Sequence, residues 1–126
     1  MNVKKLSRRT AVMAGVAALA FAATTGTAYA NAYHSTGTLP SGCIGVLDLD
    51  SGNYGWGNVY AGDSDCTIAI YQENTSTGGT ALMQSFTIGA HATASTNEYY
   101  YDSSVHKLMV LVDDGHYTSS TGYWNS

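Results

Sequence analysis

The chain has 126 residues with Lys+Arg 5, Asp+Glu 9, two cysteines and a net charge of −4. The charges are segregated: Lys4, Lys5, Arg8 and Arg9 fall in the first nine positions, whereas residues 31–126 carry Lys107 against nine acids, a net charge of −8 with no arginine. That balance excludes a nucleic-acid surface, which needs clustered cations, an anionic membrane surface and phosphate chemistry with its Lys or Arg clamp, while the length allows one domain.

Residues 1–9 form a basic n-region, and residues 11–23 (AVMAGVAALAFAA) are apolar all round, at signal-peptide length and too short for a stable bilayer span. Ala28-Tyr29-Ala30 places small residues where a signal peptidase requires them. The reading is a signal peptide over 1–30, cleavage after Ala30 and a secreted, extracellular protein. Ser7-Arg8-Arg9-Thr10-Ala11-Val12 resembles the twin-arginine export motif with Ala11 in place of the usual aromatic, so the Sec and twin-arginine routes both stay open. The alanine-rich signal points to a bacterial source.

Residues 31–42 hold the single proline and no periodicity, and read as a flexible leader. The domain is placed at 43–126. Cys43 and Cys66 are the two cysteines, and export puts them in an oxidising compartment, so they are predicted to form a disulfide. Closing a loop of that size contributes about 3 kcal/mol.

Strand signals then recur at short intervals. Segments 43–49, 54–60, 65–72 and 81–88 alternate or are β-rich, separated by the turn residues Asp50-Ser51-Gly52-Asn53 and Gly62-Asp63-Ser64 and by a hairpin-type loop at 74–79. A short strand is expected at 98–101, a central strand at 106–113 (HKLMVLVD) and a closing strand at 119–124. No helical period is sustained after residue 30. Six or seven short strands with polar turns predict an all-β fold, a small antiparallel β-sandwich or barrel.

Tyr54-Gly55-Trp56-Gly57-Asn58-Val59-Tyr60 is the most informative segment. An extended backbone puts Tyr54, Trp56, Asn58 and Tyr60 on one face and the two glycines on the other, where another element can approach closely. The expected function is an aromatic binding face, since rings supply large rigid area at low entropic cost. The other reading of Trp56 is a core residue. Tyr99-Tyr100-Tyr101 must direct rings to both sides of a strand, so at least one meets solvent. Tyr54, Trp56, Tyr60, Tyr99, Tyr101 and Trp124 are the candidate binding residues.

Catalytic and metal signals are weak. His34, His91, His106 and His116 are scattered, and Asp113-Asp114-Gly115-His116 reads as a turn. Asp48 to Asn53 contains part of a calcium-loop pattern but lacks its third acid and closing glutamate. No Gly-x-Ser-x-Gly elbow occurs, and 96 residues offer little room for a deep cleft. No catalytic residue, metal or cofactor is expected.

In size, export signal and strand rhythm the domain resembles the proteinaceous α-amylase inhibitors, small disulfide-containing β-sandwiches secreted by actinobacteria. Those carry an exposed Trp-Arg-Tyr and a second disulfide. Here Gly55-Trp56-Gly57 stands instead, with no arginine after residue 30 and no further cysteine, so amylase inhibition does not carry over. The sequence points first to a secreted, non-catalytic protein-interaction module, an inhibitor or small subunit of an extracellular assembly whose partner is another extracellular protein. A carbohydrate-binding module and a self-associating surface protein are the alternatives.

Overall fold

The computed structural model describes residues 32–102 and 104–126; the expected signal peptide lies outside them. Nine strands follow in chain order: β1 (Ala32–Ser35), β2 (Ile44–Leu49), β3 (Tyr54–Tyr60), β4 (Cys66–Asn74), β5 (Gly79–Ile88), β6 (Thr93–Ser95), β7 (Tyr99–Tyr100), β8 (His106–Asp113) and β9 (Thr118–Ser120). They form two antiparallel sheets, a five-stranded one in the order β1-β2-β3-β6 with β7 also on β3, and a four-stranded one in the order β5-β4-β8-β9. The described residues contain no helix, and the protein is all-β, as its turn-punctuated alternation requires.

Register explains how the sheets meet. In the β2–β3 ladder Leu47 sits opposite Gly57, Leu49 opposite Gly55, and Gly45 opposite Val59. Large and absent side chains therefore alternate across the inner face of the first sheet. A Cβ on Gly55 would lie 2.6 Å from Leu49 Cδ2 and 2.8 Å from Leu108 Cδ1, and one on Gly57 would lie 2.9 Å from Val110 Cγ2. The glycines are the sockets into which β8 and β4 press. Leu47, Leu49 and Val59 thus share one core with Ile68, Ile70, Leu108, Val110 and Val112 of the second sheet. Each such side chain taken from water contributes about 1.5–3 kcal/mol.

Cys43 and Cys66 are bonded, with Cα atoms 6.0 Å apart. Cys43 leads into β2 and Cys66 opens β4, so the disulfide ties one sheet to the other at the fully buried end of the core.

Two short strands escaped the sequence pattern. The segment read as a flexible leader forms β1, which pairs with β2 through Ala32–Leu49 and Ser35–Val46. Leu39 and Thr36 behind it are buried, and the Leu39 N–H donates to the Cys43 carbonyl at 2.9 Å. The physical reason is the unpaired edge of β2, which recruits four residues of weak intrinsic preference. β6 likewise forms on β3, with Val59 opposite Ala94. In β4–β5 the register shifts between Ile70 and Tyr71, with Gln84 opposite Ile70 and Leu82 opposite Tyr71. Met83 is the extra residue of that bulge and packs against the core.

Candidate functional site

The ladder places Tyr54, Trp56, Asn58 and Tyr60 together on the outer face of the first sheet, the side turned away from the glycine sockets. Cross-strand partners extend this face: Tyr33 and Asp48 lie in line with Trp56, Val46 and Ser95 with Asn58, and Tyr100 with Tyr54. In the full-length chain the middle of the face is closed to solvent, with Asp48 at 2%, Trp56 and Asn58 at 5% and Val46 at 9% exposure. The Ser95 hydroxyl donates to Asn58 Oδ1 at 2.6 Å, fixing the amide against the neighbouring β6. Tyr54, by contrast, is 46% exposed. The aromatic segment is thus open at its N-terminal end and closed at its centre, and Tyr60 at the other end is half-buried.

The tyrosine triple divides as a strand must divide it. Tyr99 pairs with Gly55, a position on the inner face, so its ring packs against the core and its hydroxyl donates to Gln84 Oε1 at 3.1 Å. Tyr101 is buried and its hydroxyl donates to the Asp50 carbonyl at 2.5 Å. Burial, with Asp50 and then Asp48 nearby, raises its phenol above the ordinary tyrosine value. The solvent-facing ring is Tyr100, 44% exposed. Of the triple, Tyr99 and Tyr101 are occupied in the fold, and the exposed member is the one between them.

Tyr100 gathers the groups that make a surface cluster. Its ring meets Tyr54 edge-on, with centroids 6.0 Å apart and planes at 73°, and meets His106 at 5.7 Å and 64°. Its hydroxyl donates to Asp102 Oδ2 at 3.3 Å, and His106 Nδ1 lies 3.4 Å from the same oxygen. Asp102 Oδ1 accepts the N–H groups of Ser104, Val105 and His106 at 3.1, 2.5 and 2.8 Å. These donors, that of His106 foremost, hold its carboxyl well below the usual carboxylate range. On the other flank of Tyr54, Asp50 Oδ1 accepts from the N–H groups of Gly52 and Tyr54 at 2.8 and 3.0 Å. Asn53 takes φ 69° in that turn. The residues with a partial calcium-loop pattern are therefore a turn closed by its own aspartate.

Trp124 stands elsewhere. Its indole stacks on His34 with centroids 3.8 Å apart and planes at 6°, and its Nε1–H donates to the Thr121 carbonyl at 2.6 Å. Its backbone bridges Leu108, so the C-terminal segment is stitched to β8 while its ring covers β1. Although 41% exposed, Trp124 serves as a clasp between the chain's first described strand and its end.

The Asp113-Asp114-Gly115-His116 turn is also self-satisfied. Asp114 Oδ1 accepts from the His116 and Tyr117 N–H groups at 2.9 and 2.8 Å, and Oδ2 accepts the Ser41 hydroxyl at 2.7 Å. The Ser41 bond is the largest cause holding this carboxyl below its ordinary value. Among the described residues no three His, Cys, Asp or Glu side chains gather as a metal site.

The sequence indicated Tyr54 but not its companions Tyr100, Asp102 and His106. Only the β3–β7 register joins them: a short strand is expected at 98–101 and β7 lies within it, but nothing in the spacing says that it pairs with Tyr54 and Gly55. No protein-family model, no curated protein and no solved structure matches the chain.

Proposed function

We propose that this chain is a secreted, non-catalytic protein-interaction module, an inhibitor or small subunit of an extracellular assembly, that engages its partner through the exposed rings of Tyr54 and Tyr100. The observation that carries the reading is the edge-to-face pair itself. Two large rings, each nearly half exposed, stand on the rigid β3–β7 ladder beside an ionised carboxylate. Rigid amphipathic rings with a polar tip are what protein interfaces use as anchors. The surrounding domain adds an acidic surface, since Lys107 is its one Lys or Arg. The disulfide is compatible with an oxidising, extracellular setting.

A polysaccharide reading needs rings lying flat in one plane along a strand. Planes at 73° favour the protein partner instead. The test sets capture of partners from spent culture medium beside retention on cellulose and chitin. Tyr54→Ala and Tyr100→Ala are each expected to weaken a captured protein complex at least tenfold, the cost of about 1.4 kcal/mol or more for a buried aromatic anchor, while leaving the circular dichroism spectrum unchanged. Retention on either polysaccharide that both substitutions abolish would replace this reading with the carbohydrate one.

A further inference from the structure

Asp102 uses its two carboxylate oxygens differently. Oδ1 accepts the Ser104, Val105 and His106 N–H groups and so holds the turn into β8. Among the described residues Oδ2 meets the Tyr100 hydroxyl at 3.3 Å and His106 Nδ1 at 3.4 Å, both at the long end of hydrogen bonding. A charged donor engaged with a carboxylate at full strength stands nearer, at about 2.7–2.9 Å. One oxygen is thus structural, and the other faces the tip of a ring that is 44% exposed. The Asp102 side chain is itself 22% exposed, so an incoming group can reach it.

Among the described residues no Lys or Arg joins this cluster. Lys107, the one Lys or Arg of residues 31–126, follows His106 along β8, so the period of two sends it to the other face, where Glu73 stands opposite. Backbone donors keep Asp102 ionised across the range in which proteins work. On the far side of the ring pair Asp50 adds a second carboxylate, anchored through Oδ1 by the Tyr54 N–H at 3.0 Å. Two exposed rings thus stand between two acids.

We propose that the protein partner seats an arginine side chain on the Tyr54–Tyr100 rings and donates a guanidinium N–H to Asp102 Oδ2. The inference deepens the partner-binding reading and rests on it. A ring face attracts a cation through its quadrupole, and more strongly where the contact is desolvated. A guanidinium is planar with N–H groups around its rim, so it can lie against a ring and donate to a carboxylate at the tip of that ring together. Lysine is a compact charge that holds its water more tightly, and gains less from the same two contacts. Charge selects the same occupant at long range. Residues 31–126 carry −8, which draws a basic surface and repels an acidic one.

Backbone-amide NMR of the disulfide-bonded protein tests this, by titration with the peptide acetyl-Gly-Arg-Gly-amide and with its citrulline counterpart, which keeps the shape and loses the charge. The arginine peptide is expected to give saturable shifts at Tyr54, Tyr100, Asp102 and His106, and the citrulline peptide to bind at least tenfold more weakly. Tyr100→Leu and Asp102→Asn should each weaken the arginine peptide at least tenfold with an unchanged circular dichroism spectrum, whereas Tyr100→Phe keeps the ring and should retain binding. Asp63→Asn removes the same charge from an exposed turn at the other end of β3, and should leave binding intact. Equal binding of the two peptides, shifts centred elsewhere, or binding that folded Asp102→Asn leaves unchanged would overturn the arginine seat. The captured complex is read separately: if Tyr54→Ala and Tyr100→Ala still weaken it, the interaction module stands without the arginine.

Discussion

At the scale of residues, the strongest constraints fall on the smallest side chains. Gly57 faces Val110 and Ile68 at distances a Cβ cannot share, 2.9 and 3.0 Å. Gly57→Ala is therefore expected to destabilise the fold by about 1–3 kcal/mol through overpacking, read as a lowered midpoint in urea. The Gly-x-Gly spacing made this legible, because alternation put both glycines on the face opposite the rings. Asp102 makes the opposite point. Nothing in Tyr101-Asp102-Ser103 announces that one carboxylate caps three successive backbone N–H groups. Its folded pKa is depressed, so it contributes stability above the unfolded carboxylate value, about 3.9, and that contribution is lost as pH falls through and below that value. Asp102→Asn keeps an acceptor oxygen but removes the titration. The variant should be less stable at neutral pH and lose less of its stability than the parent between about pH 5 and pH 2, as thermal melts across that range would show.

At the scale of elements, what could be read ahead depended on periodicity. β2, β3, β4, β5 and β8 follow the expected segments to within a few residues because each buries an alternating or wholly apolar stretch. β1 and β6 carry too few apolar residues to set a period, and exist because neighbours offer unpaired backbone, whereas β7 lies within the short strand expected at 98–101. The Tyr54–Tyr100 pair depends on the register of β7 against β3, which no spacing in the sequence sets, and for that reason the candidate site was only half visible. The β4–β5 bulge is likewise tertiary: Met83 turns into the core and returns Leu82 to the outside.

At the scale of the molecule, two sheets share one core and the disulfide fastens them at one end. Replacing both cysteines with alanine removes the only covalent link across the core, and is expected to cost about 3 kcal/mol. Chemical denaturation of the oxidised parent beside the double variant measures it; an unchanged midpoint would mean that the sheets hold together without the bond.

By itself the sequence determined the all-β class, the Cys43–Cys66 pairing and the acidity of residues 31–126. Each of these follows from residue types and their spacing: period two, two cysteines, one lysine against nine acids. Only the tertiary structure decided which rings meet solvent. Exposure depends on register: β7 pairing turns Tyr99 inward and Tyr100 outward.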